Sequence, residues 1–107
     1  MTVNILGTEW EIIISNKEMY PYLEDVDAFC DNSVHKIVVN EIHRDINSKE
    51  NLQEWQNKVI RHELIHAFLY ESGLAENSDW AMNEEMIDFF AMQFSKIKKV
   101  FEELNIT

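Results

Sequence analysis

"RHELIHAFLYESGL", residues 61–74, divides this chain into two kinds of sequence. Before it, apolar residues alternate or run in short β-branched stretches; after it, they recur with helical spacing. Within it, Leu64, Ile65, Ala67, Phe68 and Leu69 form an apolar helical run, and Gly73 is a natural C-terminal stop. Three residues interrupt that run: His62, Glu63 and His66. On a helix, positions i and i+4 share a face, so the two imidazoles aim at one point. A tetrahedral metal asks this of two neighbouring ligands, at about 2.0–2.1 Å each for zinc. Glu63 is rotated to one side, where it reaches a water held at the metal rather than the metal itself. This is the H-E-x-x-H arrangement, with the glutamate as general base of a metallohydrolase. With four His and fourteen Glu in the chain, a shuffled composition yields that pattern about one time in a hundred.

Upstream, "TVNIL" and "EWEIIIS" surround Gly7-Thr8 and predict a hairpin. "DAFC" and "HKIVVNE" flank Asp31-Asn32-Ser33 and predict a second one. Ile37, Val38 and Val39 make the strongest strand signal in the chain. The metal-binding helix is expected to be capped by Asn47 or Ser48, with Glu50 completing a capping box, and to run to about Ser72. "LAENS" reads as a loop, with Asn77 or Ser78 as the next cap. A last helical segment runs from Asp79 to about Leu104, with a kink expected near Ser95 and Ile97, Val100, Phe101 and Leu104 facing inward. Met82, Met86 and Met92 read as core. Strands followed by helices predict an α+β fold. Its small, mainly antiparallel N-terminal sheet packs against the H-E-x-x-H helix and a C-terminal ligand-bearing helix. The 107 residues are read as one domain, 1–107.

A hydrolytic zinc takes a third protein ligand. His66 lies six residues, about 9 Å, before Ser72. Glu84 lies five residues, about 7.5 Å, past Asp79. If the helices are antiparallel, Glu84 is level with His66 and Asp88 with His62. Glu84 is therefore the expected third ligand, with Glu85, some 100° round the helix, as its rival. Asp88 is expected to accept a hydrogen bond from the outer nitrogen of His62 and fix its tautomer.

"VIRHELIHAF" followed by "NEEMIDFFA" resembles the zincin metallopeptidases of the gluzincin clan. There H-E-x-x-H on one helix is followed by N-E-x-x-x-D, or a close variant, on the next. The matching positions are His62, Glu63, His66, Asn83, Glu84 and Asp88. The short chain is similar to the minigluzincins, and "EEMIDFFA" also resembles the ImmA/IrrE-type peptidases of mobile elements. The resemblance implies a zincin-like fold and one Zn2+ per chain, held by His62, His66 and Glu84. It also implies Glu63 as base on a zinc-bound water and Asp88 behind His62. The separate subdomain that supplies a second transition-state donor in large gluzincins has no counterpart. The residues offer Tyr70 for that role, one turn past His66, with Tyr20, Tyr22, His35 and His43 as rivals. A peptide substrate is expected to pair with a free edge of "KIVVNE", bringing Val39 and Asn40 to the substrate.

The expected activity is hydrolysis of peptide bonds in an intracellular protein partner. The competing reading is a non-catalytic binding module, of antirepressor or inhibitor type, that keeps zinc to staple a small core. Glu63 favours the enzyme, since a purely structural zinc has no use for a base there. A formal charge of −11 argues against nucleic acid or an anionic membrane as partner. The single cysteine, Cys30, rules out an internal disulfide, fits a reducing compartment and reads as a small buried hydrophobe. "MTVNILGTEW" lacks a basic start and a long apolar run, so a cytoplasmic location is expected.

Overall fold

The strongest strand of the sequence lies in the middle of the sheet, and its neighbours decide the topology. The computed structural model describes residues 1–42 and 51–107. Strands β1 (Thr2–Ile5) and β2 (Thr8–Ser15) form the first hairpin, and β3 (Ala28–Asp31) and β4 (Lys36–Asn40) the second. The first turns at Leu6 and Gly7, both at positive φ, the pattern of a tight two-residue hairpin loop. Asn4 Oδ1 accepts from the Gly7 N–H at 2.9 Å and holds that turn.

The sheet order is β1-β2-β4-β3, and β2 pairs with β4 in parallel. Two of the three pairings are antiparallel, in keeping with the expected mainly antiparallel sheet, but the central one is parallel, so the sheet is mixed. The cause is visible in β4. Ile37, Val38 and Val39 are all at most 1 % exposed, so both faces of this strand are covered, as a central parallel strand requires. Half-buried β3 takes the edge instead.

Trp10, Ile12, Ile37 and Val39 share a core with Ile5 and with Ala67 of the helix α1 (Leu52–Glu71). Val59, Ile60 and Leu64 pack partly against the same cluster. Asn51 caps α1, its side chain accepting from the Glu54 N–H at 3.0 Å. The helix therefore starts four residues later than the expected capping box; Asn47, Ser48 and Glu50 lie outside the described residues. Gly73, at φ 83°, stops α1. "LAEN" then forms a one-turn helix, α2 (Leu74–Asn77), where a loop was expected.

After a 3-10 turn at Asp79–Met82, Asn83 caps α3 (Glu84–Glu103) by accepting from the Met86 N–H at 2.7 Å. α3 is a continuous 20-residue helix; no break falls at Ser95. Only Ile87 and Ala91 of it are fully buried. Val100, Phe101 and Leu104 are exposed, as are Met82 and Met92, while Met86 is half-buried. The expectation that these residues fill a core fails because α3 lies outside α1, which already covers the sheet. No described helix is long and apolar enough to cross a membrane.

Candidate metal centre

Two rows of side chains, one on each helix, meet across the α1–α3 contact. On α1, Lys58, His62 and His66 recur every four residues and form one ridge. On α3, Glu84 and Asp88 do the same. The rows are offset by half a step, so each carboxylate meets two partners. Glu84 reaches Nε2 of His62 at 3.0 Å and Nε2 of His66 at 3.1 Å, one oxygen to each. Asp88 Oδ1 meets Nδ1 of His62 at 3.3 Å and Nζ of Lys58 at 3.2 Å. The two imidazole rings stand 5.0 Å apart, tilted at 63°. Arg61 fixes the register of the helices, donating from Nε to the Ala91 carbonyl at 2.7 Å and from a terminal N–H to Glu54 at 3.0 Å.

Glu84, rather than Glu85, faces the histidines. It was expected level with His66 alone, but its two oxygens span both rings. One ligand atom from each of His62, His66 and Glu84 lies within 4.8 Å of the others. Three ligands about 2 Å from a common tetrahedral centre stand roughly 3.3 Å apart, so the observed 3.0 and 3.1 Å are close to what a shared ion requires.

The donor chemistry points the same way. Both nitrogens of His62 face carboxylate oxygens, yet a neutral imidazole carries one N–H. If Nδ1–H donates to Asp88, the Nε2 lone pair is left pointing at Glu84. That contact is repulsive unless a second proton or a cation lies between them. Burial pushes His66 below its usual imidazole range, with His62 adding to the effect and Glu84 opposing it. The neutral ring that results is the form that binds a metal. Burial works against the Asp88 carboxylate, but Lys58 and His62 hold its pKa below the ordinary value.

Glu63 lies on another face of α1. It is 9 % exposed, and burial raises its pKa, His62 opposing and Glu84 adding. With His62, Asp88, Lys58, Val59, Asp27 and Ala28 it lines a pocket of about 240 Å³. That is less than the roughly 300–1,000 Å³ of drug-sized ligand sites, and closer to the volume of one or two side chains. The Glu63 charge also helps to push the Cys30 thiol of β3 up to about 12, after burial and ahead of Asp31.

Of the three expected ligands only His62 lines this pocket, and the other expected residues besides Glu63 and Asp88 are not at it. Val39 is 1 % exposed and belongs to the core. Asn40 is held on three sides: its N–H donates to the Asp27 carbonyl, its amide to the Leu23 carbonyl, and its own carbonyl accepts from Gln56. β4 is paired on both edges, so neither Val39 nor Asn40 offers a free edge to a peptide. Among the described residues, the sheet edge next to the pocket is β3, whose Ala28 lines it. Tyr70 lies one turn beyond His66, away from the pocket. Tyr20 and Tyr22 pack on Phe29, and His35 packs edge-on against Trp10. His43 lies outside the described residues.

Sequence reasoning missed two residues. Lys58 shares an oxygen of Asp88 with His62, a role that i−4 spacing from His62 would have signalled. Glu71 accepts from Thr8 Oγ1 and Trp10 Nε1, each at 2.8 Å, and ties the end of α1 to the first hairpin. No sequence signal marked it. In comparisons with known proteins, no family model, curated protein or solved structure matches the chain.

Proposed function

We propose that the protein is a minimal zinc-dependent metallopeptidase, hydrolysing peptide bonds of a protein partner in the cytoplasm. One observation carries the reading: Glu84 places one oxygen against each Nε2 of an i, i+4 histidine pair, with Glu63 buried next to His62 on the wall of a pocket. The resemblance to gluzincins and the zincin-like layout of sheet, H-E-x-x-H helix and ligand-bearing helix belong to this proposal.

His62, His66 and Glu84 would hold the ion, and Asp88 would keep the Nδ1–H of His62 in place so that Nε2 points inward. A zinc ion bound there supplies a Lewis acid and draws the pKa of water toward ~7. Glu63 accepts the proton of the attacking water and delivers it to the departing amine. Its burial suits this, because raising the pKa makes the carboxylate a stronger base toward the water. An extended peptide would add to the β3 edge, which no described strand pairs, with one side chain in the pocket beside Ala28.

A non-catalytic zinc staple is the second reading, and the thin α1–α3 contact favours it: only Ile87 and Ala91 of α3 are fully buried. Glu63→Gln separates the two. For the peptidase, zinc stays at about one per chain while cleavage of a peptide library falls by roughly 100-fold or more. A variant that retains every measurable function leaves the staple as the correct reading.

A further inference from the structure

The pocket beside His62 has a charge of its own. Asp27, Lys58, Glu63 and Asp88 all line it. Lys58 and Asp88 pair at 3.2 Å and cancel. Among the described residues, neither the Asp27 nor the Glu63 carboxylate makes a hydrogen bond or an ion pair. Asp27 is exposed just before β3, and only its backbone carbonyl is engaged, by the Asn40 N–H. Glu63 is 9 % exposed. Its oxygens are unbonded yet not sealed off, so they open onto the pocket they line. Water satisfies a surface carboxylate, but one withdrawn from water costs free energy until it is paired. The excess of 20 acidic over 9 basic residues accounts for Asp27 and not for Glu63.

The metal site leaves this space open. The pocket lies on the Asp88 side of His62, where Nδ1 points, whereas an ion would sit at Nε2, on the Glu84 side. Neither His66 nor Glu84 lines the pocket. Its remaining walls, Ala28 and Val59, are apolar. A volume of about 240 Å³ with apolar walls and unpaired carboxylates suits an aliphatic stem that ends in a cation. An anionic side chain would meet Asp27 and Glu63, with Lys58 already committed to Asp88.

We propose that this pocket receives a lysine or arginine side chain of the substrate, its stem against Ala28 and Val59 and its cation at Asp27. That a peptide carries this side chain rests on the peptidase reading; the selection of a cation does not.

The test follows amide NMR signals of the zinc-loaded full chain. The probes are N-propylguanidine, which is the arginine side chain alone, its neutral isostere N-propylurea, and propanesulfonate. Propylguanidine is expected to shift Asp27, Ala28 and Val59 with a Kd of ~1–10 mM, at least about tenfold tighter than the other two. Asp27→Asn keeps the carbonyl that Asn40 uses, and is expected to weaken propylguanidine about fivefold with zinc content and circular dichroism unchanged. Asp27→Glu is expected to restore binding. Equal or tighter binding of propylurea or propanesulfonate overturns the proposal, as do shifts confined to other residues or an Asp27→Asn variant that binds like the wild type. Peptide cleavage without preference for a neighbouring Lys or Arg also overturns it and leaves the peptidase reading standing. Selective binding of propylguanidine with no peptide cleaved upholds the pocket and counts against the peptidase.

Discussion

Two glutamates bridge two partners each, and they differ in what they face. Glu71 accepts from the Thr8 hydroxyl and the Trp10 indole, both at 2.8 Å. Those groups carry hydrogens at any pH, so the clamp is complete in itself. Glu84 makes the same kind of bridge to two imidazole nitrogens, and one of these belongs to a ring whose single neutral N–H is also needed by Asp88. The first carboxylate closes a structure, while the second leaves a place for a cation.

Chelation is the most direct way to break this comparison. If zinc is present at 100 times its Kd, it adds about 2.7 kcal/mol, and removing it is expected to lower Tm by roughly 10–20 °C. His62→Ala or Glu84→Ala is expected to reproduce that loss and to abolish zinc in metal analysis. Glu85→Ala is expected to keep both; if it loses zinc instead, the assignment of the third ligand is wrong. At the other bridge, Trp10→Phe removes the indole donor and some core volume, costing about 2–4 kcal/mol. Urea denaturation measures that loss, with zinc content unchanged. Asp88→Asn is expected to weaken zinc binding about 10–100-fold, read by competition with a chromophoric chelator, with little change in the metal-free Tm.

The smallest effect is in pH. Hydrogen bonds from Thr8, then Trp10, hold the Glu71 carboxylate below its usual pKa, with His35 adding to them. Its contribution is therefore present above the ordinary glutamate range and is lost as pH falls through the lowered value. The urea midpoint of metal-free protein, followed from pH 7 to 3, is expected to fall more steeply in the wild type than in Glu71→Gln.

The grouping of His62, His66, Glu84 and Asp88 was legible because helical spacing is local: His62 and His66 four apart, and Glu84 and Asp88 four apart, fix two faces without any tertiary knowledge. The loop length then set the helices level to within one turn. The strand order was not legible. Two hairpins can join through either outer strand, and the choice was made by burial of Ile37, Val38 and Val39 on both faces, which periodicity alone does not reveal. For the same reason Val39 and Asn40 were assigned to an edge they do not occupy. The apolar stripe of α3 was misassigned because helical spacing identifies an apolar face and says nothing of what covers it.

Cys30 has a practical consequence. Its thiol sits on the strand beside the pocket, with Glu63 and Asp31 near enough to help hold it protonated. With a pKa of about 12, roughly one molecule in 10⁵ is a thiolate at pH 7. Alkylation by iodoacetamide is therefore nearly silent while β3 stays docked, and its rate becomes a clock for how often that strand peels away.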